Sequence, residues 1–143
     1  MDVRQAVSLG AIAGGVNVVT FYPMAPSTGI GTFLAQYGFP YSVIVDQSED
    51  EISVRNKALG ASYAGDRSLI TTAGGGFSLM IEGLSFAGMA EIPIVIHIGG
   101  RPGPATGEPT RTEQSDIEQT LYAGSGEFPR IIFAPGSIED AFW

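Results

Sequence analysis

The sequence predicts an α/β domain with three layers, α/β/α, in which helices cover both faces of a mainly parallel sheet. Runs that are almost purely apolar and β-branched alternate with segments of helical periodicity at roughly 25-residue spacing, a pattern typical of parallel sheets. Many of the 20 glycines and 9 prolines lie between these runs, where strands turn into helices. A length of 143 residues allows one core, so we expect a single domain over residues 1–143.

Five strands and five helices are expected in alternation, each from its own local pattern. The strands are the β-branched or apolar runs at 18–22, 42–46, 68–72, 92–98 and 130–134. The helices carry small and apolar residues at helical spacing, at 4–15, 30–37, 50–64, 77–89 and 112–122. The Gly14-Gly15 pair is expected to end the first helix, and Ser27 or Thr28 to cap the second. Ser137 is expected to cap a further helix that stops at Trp143, which suggests a domain excised from a longer polypeptide.

The charge and the cysteine count exclude several classes of partner and site. The formal net charge is -8 with only 7 Lys and Arg residues, so nucleic acid and anionic membrane surfaces are unsuitable partners. The chain has no Cys and one His, which removes disulfides, thiolate-bound clusters and most metal sites of its own. It contains no apolar run of about 20 residues and no signal-peptide pattern at its start, so we expect a cytoplasmic protein without a membrane span.

Loops of unusual composition follow the predicted strands: PMAPST, DQSEDE, AGGG, GGRPGPATGEPTRT and APGS. Parallel strands have their carboxyl ends at one edge of the sheet, so all five loops are expected to gather there. Ligands of open α/β sheets bind in the crevice at that edge. The sequence therefore predicts the functional site among these loops.

Glu51 lies where the second predicted strand gives way to a helix, and it has two interpretations. The stretch 48–51 fits a capping box in which Ser48 is the N-cap and Glu51 reaches back to the Ser48 amide. Alternatively, the Glu51 carboxylate faces a ligand in the crevice at the carboxyl ends of the strands. The local pattern is compatible with both.

Four further features have both a functional and a structural interpretation. Gly74 to Gly76 at a helix start can hold a phosphate on backbone amides, or they let an apolar ring approach the bare backbone. Arg101, on a loop stiffened by prolines, suits a carboxylate or phosphate group, or it is a surface residue paired with an acid. His97, in an apolar strand, is a core or interface residue or a general base. The apolar helical stripe that begins at Phe77 is core or interface, or it belongs to a cofactor site.

Four segments together resemble a known family. They are YPMAPSTG at 22–29, the helix of Glu51, TTAGGGFSLM at 71–80 and GGRPGPATGEPTRTEQSD at 99–116. They resemble the pyrimidine-binding domain in the α subunit of 2-oxoacid:ferredoxin oxidoreductases, with the greatest similarity to the 2-oxoglutarate (KorA-like) branch. The resemblance covers nearly the whole chain in the same order and implies the pyrimidine domain of the thiamine diphosphate-binding fold.

The resemblance also implies roles for individual residues. Glu51 is implied to be the catalytic carboxylate that binds the aminopyrimidine ring nitrogen of thiamine diphosphate. The other implied contacts to the cofactor are Pro23, Gly75, Gly76 and Phe77, and the implied contacts to substrate are Arg101, Ala25 and Thr106. This sequence departs from the family at Ala25, where Thr or Ser is usual, and at Gly74-Gly75 and Glu108.

The resemblance further implies that the chain works as one part of an oligomer. Mg²⁺ and the diphosphate would be held by a β subunit with a GDG-type motif, and iron-sulfur clusters by a ferredoxin-like subunit, since this chain has neither that motif nor Cys. A 2-oxoacid (2-oxoglutarate or pyruvate), coenzyme A and ferredoxin complete the implied reaction, and the isolated chain would be inactive. The alternative is a non-catalytic nucleotide-binding or regulatory module of the same fold, in which Glu51 is only a cap.

Overall fold

The computed structural model describes residues 1–143 and contains a four-stranded, wholly parallel sheet in the order β2-β1-β3-β4. The strands are β1 (Val18–Phe21), β2 (Ile44–Gln47), β3 (Ser68–Ala73) and β4 (Val95–Gly99). The helices are α1 (Val3–Ala13), α2 (Thr28–Tyr37), α3 (Glu51–Tyr63), α4 (Gly74–Met89) and α5 (Ile117–Tyr122), with one 3-10 turn at Phe39–Tyr41. The predicted α/β class and parallel sheet are confirmed.

Alternate residues of the strands pack against opposite helical layers. Val19 and Leu69 are register partners, and both are buried in a cluster with Ile30 and Leu34 of α2, on the side where α1 also packs. The next residue along β3, Ile70, points to the other side, in a cluster formed with side chains of α3 and α4: Val54, Ala58 and Met80. The central strands β1 and β3 together thus bury apolar residues on both faces of the sheet, which explains the short apolar runs at these positions in the sequence.

The second half of the fold differs from the sequence prediction. Strand β4 begins at Val95 and not at Ile92, because Pro93 has no N–H to donate to a ladder. The predicted strand at 130–134 is wrong: its backbone joins no ladder, and the Ile131 side chain is 99% exposed. A β-branched run forms a strand only where a neighbouring edge and a face to bury are available, and this segment has neither.

The C-terminal part of the chain differs from the prediction in two further places. Ser137 accepts a hydrogen bond from the Asp140 N–H at 3.0 Å, but the chain forms turns there and no helix, so the predicted last helix is wrong. The fifth helix begins at Ile117, so only the second half of its predicted range is helical. Gly14 does cap α1 as predicted, with Gly15 at φ +79°. No helix combines the length and the apolar character needed to cross a membrane.

Candidate functional site

The loops that follow the four strands meet at the carboxyl edge of the sheet and are tied together by hydrogen bonds. Ser27 occupies the N-cap position of α2, as predicted, although its side chain makes no capping hydrogen bond. Its hydroxyl donates to the Thr72 carbonyl of β3 and accepts from the Gly99 N–H of β4 at 3.1 Å. Arg101 donates from Nη1 to the Ala25 carbonyl at 2.8 Å. The gathering of loops is therefore confirmed for four loops, and APGS follows no strand.

The connection from β2 to α3 is anchored by charged side chains other than Glu51. Asp46 accepts from the Ser48 hydroxyl at 2.6 Å and from the Lys57 ammonium at 2.8 Å, and these hydrogen bonds, chiefly that of Lys57, hold the pKa of Asp46 below its ordinary value. The N-cap of α3 is Asp50, whose Oδ1 accepts from the Ser53 N–H at 2.7 Å. The predicted capping box with Ser48 as N-cap is therefore wrong.

Because Asp50 performs the capping, the Glu51 side chain is free to turn inwards. Glu51 is the first residue of α3 and is only 4% exposed. Its Oε1 is buried and has no hydrogen-bond partner. Buried polar atoms in folded proteins are nearly always paired, so an unpaired carboxylate oxygen at the ligand-binding edge of the sheet indicates a bound group that the chain itself does not supply.

Gly76, in the first turn of α4, lies directly against Glu51. A Cβ built on Gly76 would lie 2.8 Å from Glu51 Oε1 and would also collide with Thr72 Oγ1. No side chain caps α4. The glycine therefore keeps bare backbone beside the buried carboxylate. This agrees with the interpretation that the glycine run allows another group to approach the backbone closely.

Replacing Gly76 with Ala is expected to lower the free energy of unfolding by about 1–3 kcal/mol, because a methyl group is forced into a filled space. Urea denaturation of the chain measures this effect as a lower transition midpoint. Gly60→Ala in α3 is the matched control, since a Cβ at Gly60 meets nothing within 4 Å and Ala is the better helix former. A Gly76→Ala chain as stable as Gly60→Ala would show that the Glu51 environment is not tightly packed.

Arg101 and a residue that the sequence did not single out, Asp116, lie beside the first two glycines of α4. A Cβ on Gly74 would be 2.9 Å from Asp116 Oδ2, and one on Gly75 would be 3.9 Å from Arg101 Nη2. Both charged side chains line a cavity of about 530 Å³. Arg101 is 7% exposed and Asp116 is 9% exposed. The alternative that Arg101 is a surface residue paired with an acid is therefore not supported.

Unpaired buried polar atoms are concentrated at this helix start. Four side chains have such atoms, and three of them are Glu51, Arg101 and Asp116. The fourth, Arg55, forms an ion pair with Glu82 of α4. Asp116 could not be recognised as a site residue because a long loop separates it from the end of β4. Its one indication in the sequence is its position at the end of segment 99–116.

The remaining predicted site residues occupy different surroundings. Phe77 is 2% exposed, so its ring belongs to the core and does not line the cavity. Pro23, Ala25 and Thr106 are exposed on the loops of the carboxyl edge and also lie outside the cavity lining. The structure thus brings together Glu51, the glycine run and Arg101, with Ala25 hydrogen-bonded to Arg101 through its carbonyl. It leaves Pro23 and Thr106 exposed on the loops and Phe77 in the core.

His97 has the surroundings of a structural residue. Its Nδ1 is 3.2 Å from Thr71 Oγ1 on the neighbouring strand. Burial lowers the pKa of His97 to about 4, so the imidazole is neutral at neutral pH. The interpretation as a core or interface residue is favoured over that of a general base, which needs a pKa nearer the working pH.

Comparison with known proteins gives a consistent family. A family model described as pyruvate flavodoxin/ferredoxin oxidoreductase, thiamine diP-bdg, matches residues 9–143. The α subunit of 2-oxoacid:ferredoxin oxidoreductase 1 from Sulfurisphaera tokodaii is 40% identical over 99% of this chain and 25% of that subunit. The 2-oxoglutarate synthase subunit KorA of Archaeoglobus fulgidus is 38% identical over 98% of this chain and 40% of that subunit.

A solved structure shares the fold over almost the whole chain. It is 2-oxoglutarate:ferredoxin oxidoreductase from Magnetococcus marinus with 2-oxoglutarate, coenzyme A and succinyl-CoA bound, at a TM-score of 0.95 and 38% identity. The match covers 99% of this chain and 25% of that chain, so this chain spans a quarter of the longer protein. Since the family model covers most of its length, the chain belongs to the thiamine diphosphate-binding domain family of the pyruvate flavodoxin/ferredoxin oxidoreductases.

Proposed function

We propose that this chain is the pyrimidine-binding part of a cytoplasmic, thiamine diphosphate-dependent 2-oxoacid:ferredoxin oxidoreductase. The reaction is the oxidative decarboxylation of 2-oxoglutarate to an acyl-coenzyme A, with the electrons passed to ferredoxin. The observation that carries this proposal is the buried, unpartnered Oε1 of Glu51 against the bare backbone of Gly76. The relatives' names support the reaction class, and the KorA relatives and the Magnetococcus structure support 2-oxoglutarate as substrate.

The residues at the α4 start fit the pyrimidine half of the cofactor. An aminopyrimidine ring presents a nitrogen that can share a hydrogen bond with a carboxylate, and Glu51 Oε1 is a buried carboxylate oxygen without a partner. A flat ring also needs backbone without side chains, which the glycine run from Gly74 to Gly76 provides. The buried carboxylate of Glu51 and the bare backbone of the glycine run therefore both suit an aminopyrimidine ring.

Bound thiamine diphosphate would supply the nucleophilic carbon and the electron sink for cleaving the bond between a 2-oxo group and its carboxylate. The role of Glu51 is to hold the hydrogen bond to the pyrimidine ring nitrogen in a low-dielectric site, where such a bond is strong. Asp would be one methylene shorter at this position. Gly76 leaves bare backbone against Glu51, and Pro23 lies on the exposed loop of the same edge.

Arg101 is suited to hold the carboxylate of the 2-oxoacid. Its Nη1 is already used by the Ala25 carbonyl, which fixes the guanidinium in place. Its buried Nε has no partner, so the edge formed by Nε and Nη2 remains for a bidentate interaction with a carboxylate. Ala25 itself offers no hydroxyl for this purpose, so Arg101 carries the orientation of the substrate.

Further subunits would complete the site. The structure has no group of three or more His, Cys, Asp or Glu side chains arranged to hold a metal ion. We assign Mg²⁺ and the diphosphate to a β subunit and the iron-sulfur clusters to a ferredoxin-like subunit. Large exposed apolar side chains on α3 and α4 support covered helix faces in an oligomer: Ile52, Leu79, Phe86 and Met89.

The test is calorimetric binding of thiamine diphosphate to the chain alone and to the chain co-expressed with a GDG-containing β subunit. We expect Mg²⁺-dependent, tight binding and 2-oxoacid-dependent reduction of ferredoxin only in the assembled protein, because the chain alone lacks the diphosphate contacts. Tight, Mg²⁺-dependent binding by the chain alone would contradict the divided site. An assembled protein that binds nucleotides but not thiamine diphosphate would instead support the regulatory module.

A further inference from the structure

A second buried carboxylate, Asp116, lies beside the start of α4. The functions proposed for Glu51 and Arg101 do not involve it. Asp116 is 9% exposed, and its Oδ2 has no hydrogen-bond partner. It occupies the N-cap position of α5, yet its side chain does not cap that helix. A buried carboxylate oxygen without a donor is costly, so Oδ2 indicates a ligand group that donates a hydrogen bond.

Arg101 does not neutralise Asp116. Both line the same cavity of about 530 Å³, but none of the three ion pairs in the structure joins them. The α4 N-terminus beside Asp116 favours a negative charge, but this leaves the lone pairs of Oδ2 unused. Arg101 and Asp116 therefore share a cavity without forming an ion pair. Arg101 can bind a ligand group that accepts hydrogen bonds, and Asp116 can bind a ligand group that donates one.

The 2-oxoacid supplies the acceptor group only. Its carboxylate and carbonyl oxygens suit Arg101, whereas against Asp116 they would meet a like charge and no donor. The acyl-accepting thiol of the proposed reaction is different, because coenzyme A carries amide N–H groups and a thiol S–H along one flexible arm. It is the reactant whose chemistry matches Asp116.

We infer that Asp116 is a binding residue for the thiol cosubstrate, with its buried oxygen accepting a hydrogen bond from an amide or thiol group of coenzyme A. This inference rests on the proposed function and deepens it, because it assigns two charged side chains of one cavity to two different reactants. Arg101 holds the 2-oxoacid carboxylate, and Asp116 holds the acyl acceptor.

The experiment uses the assembled holoenzyme with Asp116→Asn, which keeps the shape of the side chain and removes its charge. Calorimetric titration with coenzyme A, without 2-oxoacid, is expected to show roughly ten-fold weaker binding, because a charge-assisted hydrogen bond is lost. In steady state, KM for coenzyme A should rise by a similar factor while KM for the 2-oxoacid changes by less than about two-fold. Asp116→Ala, which removes the acceptor entirely, should show a larger loss.

Glu118→Gln on α5 is the matched control, since Glu118 is exposed and lies outside the cavity. If Asp116 only stabilises the α4 start, both Asp116 variants lower the melting temperature while the affinity for coenzyme A stays unchanged, and the inference is overturned. Equal losses for coenzyme A and 2-oxoacid, or a wild-type enzyme that does not bind coenzyme A, also overturn it. Failure of the proposed function is seen separately, as absence of 2-oxoacid-dependent ferredoxin reduction in the wild type.

Discussion

Glu51→Gln in the assembled enzyme is expected to lower kcat by about 10²- to 10⁴-fold, the range typical of a lost general acid–base group. The amide keeps the size and position of the side chain but cannot share a proton with the pyrimidine nitrogen as a carboxylate does. The stability of the cofactor-free protein should be unchanged or higher, because the substitution removes a buried charge that has no partner there. Steady-state turnover and thermal melting measured on the same preparation check both parts.

Glu49→Gln is the control for this prediction, because Glu49 lies on the same connection but is exposed. It should change neither turnover nor melting. Near-normal activity of Glu51→Gln would remove the catalytic assignment. A fall in melting temperature that accompanies the loss of activity would indicate a structural role, although Asp50 and not Glu51 caps the helix.

Arg101→Lys in the assembled enzyme is expected to raise KM for every 2-oxoacid by roughly ten- to a hundred-fold, or about 1.4–2.8 kcal/mol of binding. Lys has one charged group, so it cannot donate to the Ala25 carbonyl and also bind a carboxylate through two parallel hydrogen bonds. Steady-state kinetics with 2-oxoglutarate and pyruvate, measured side by side, provides the test. Arg111→Lys, on the exposed part of the same loop, is the control.

Ala25→Thr should partly restore KM in the Arg101→Lys background, because it adds a hydroxyl to the loop that Arg101 contacts. If Arg101→Lys impairs the reaction of 2-oxoglutarate and spares that of pyruvate, Arg101 reads the distal carboxylate and not the shared 2-oxo-carboxylate end. The role assigned to Arg101 would then be wrong, while the family assignment would stand.

The fold class and most of the elements could be predicted because their signals are local. Each of the first three strands contains a short apolar or β-branched run and is followed along the chain by a helix, so periodicity and composition place it within a few residues. The segment 130–134 has the same local signal but no strand edge beside it, and there the prediction failed. Whether a β-branched run pairs depends on what lies beside it, which its own residues do not encode.

Some features of the candidate site could likewise be predicted from the sequence, and others could not. The sequence by itself determined that Glu51, the glycine run and Arg101 follow the carboxyl ends of strands, because chain order and parallel pairing are sufficient for that. Only the tertiary structure decided that Asp50 caps α3 and so leaves the Glu51 carboxylate buried and unpaired. It also brought Asp116 to a helix that begins at Gly74. Asp116 and Gly74 are far apart in the sequence, so their contact depends on how the long loop after β4 packs. No local sequence pattern specifies that packing.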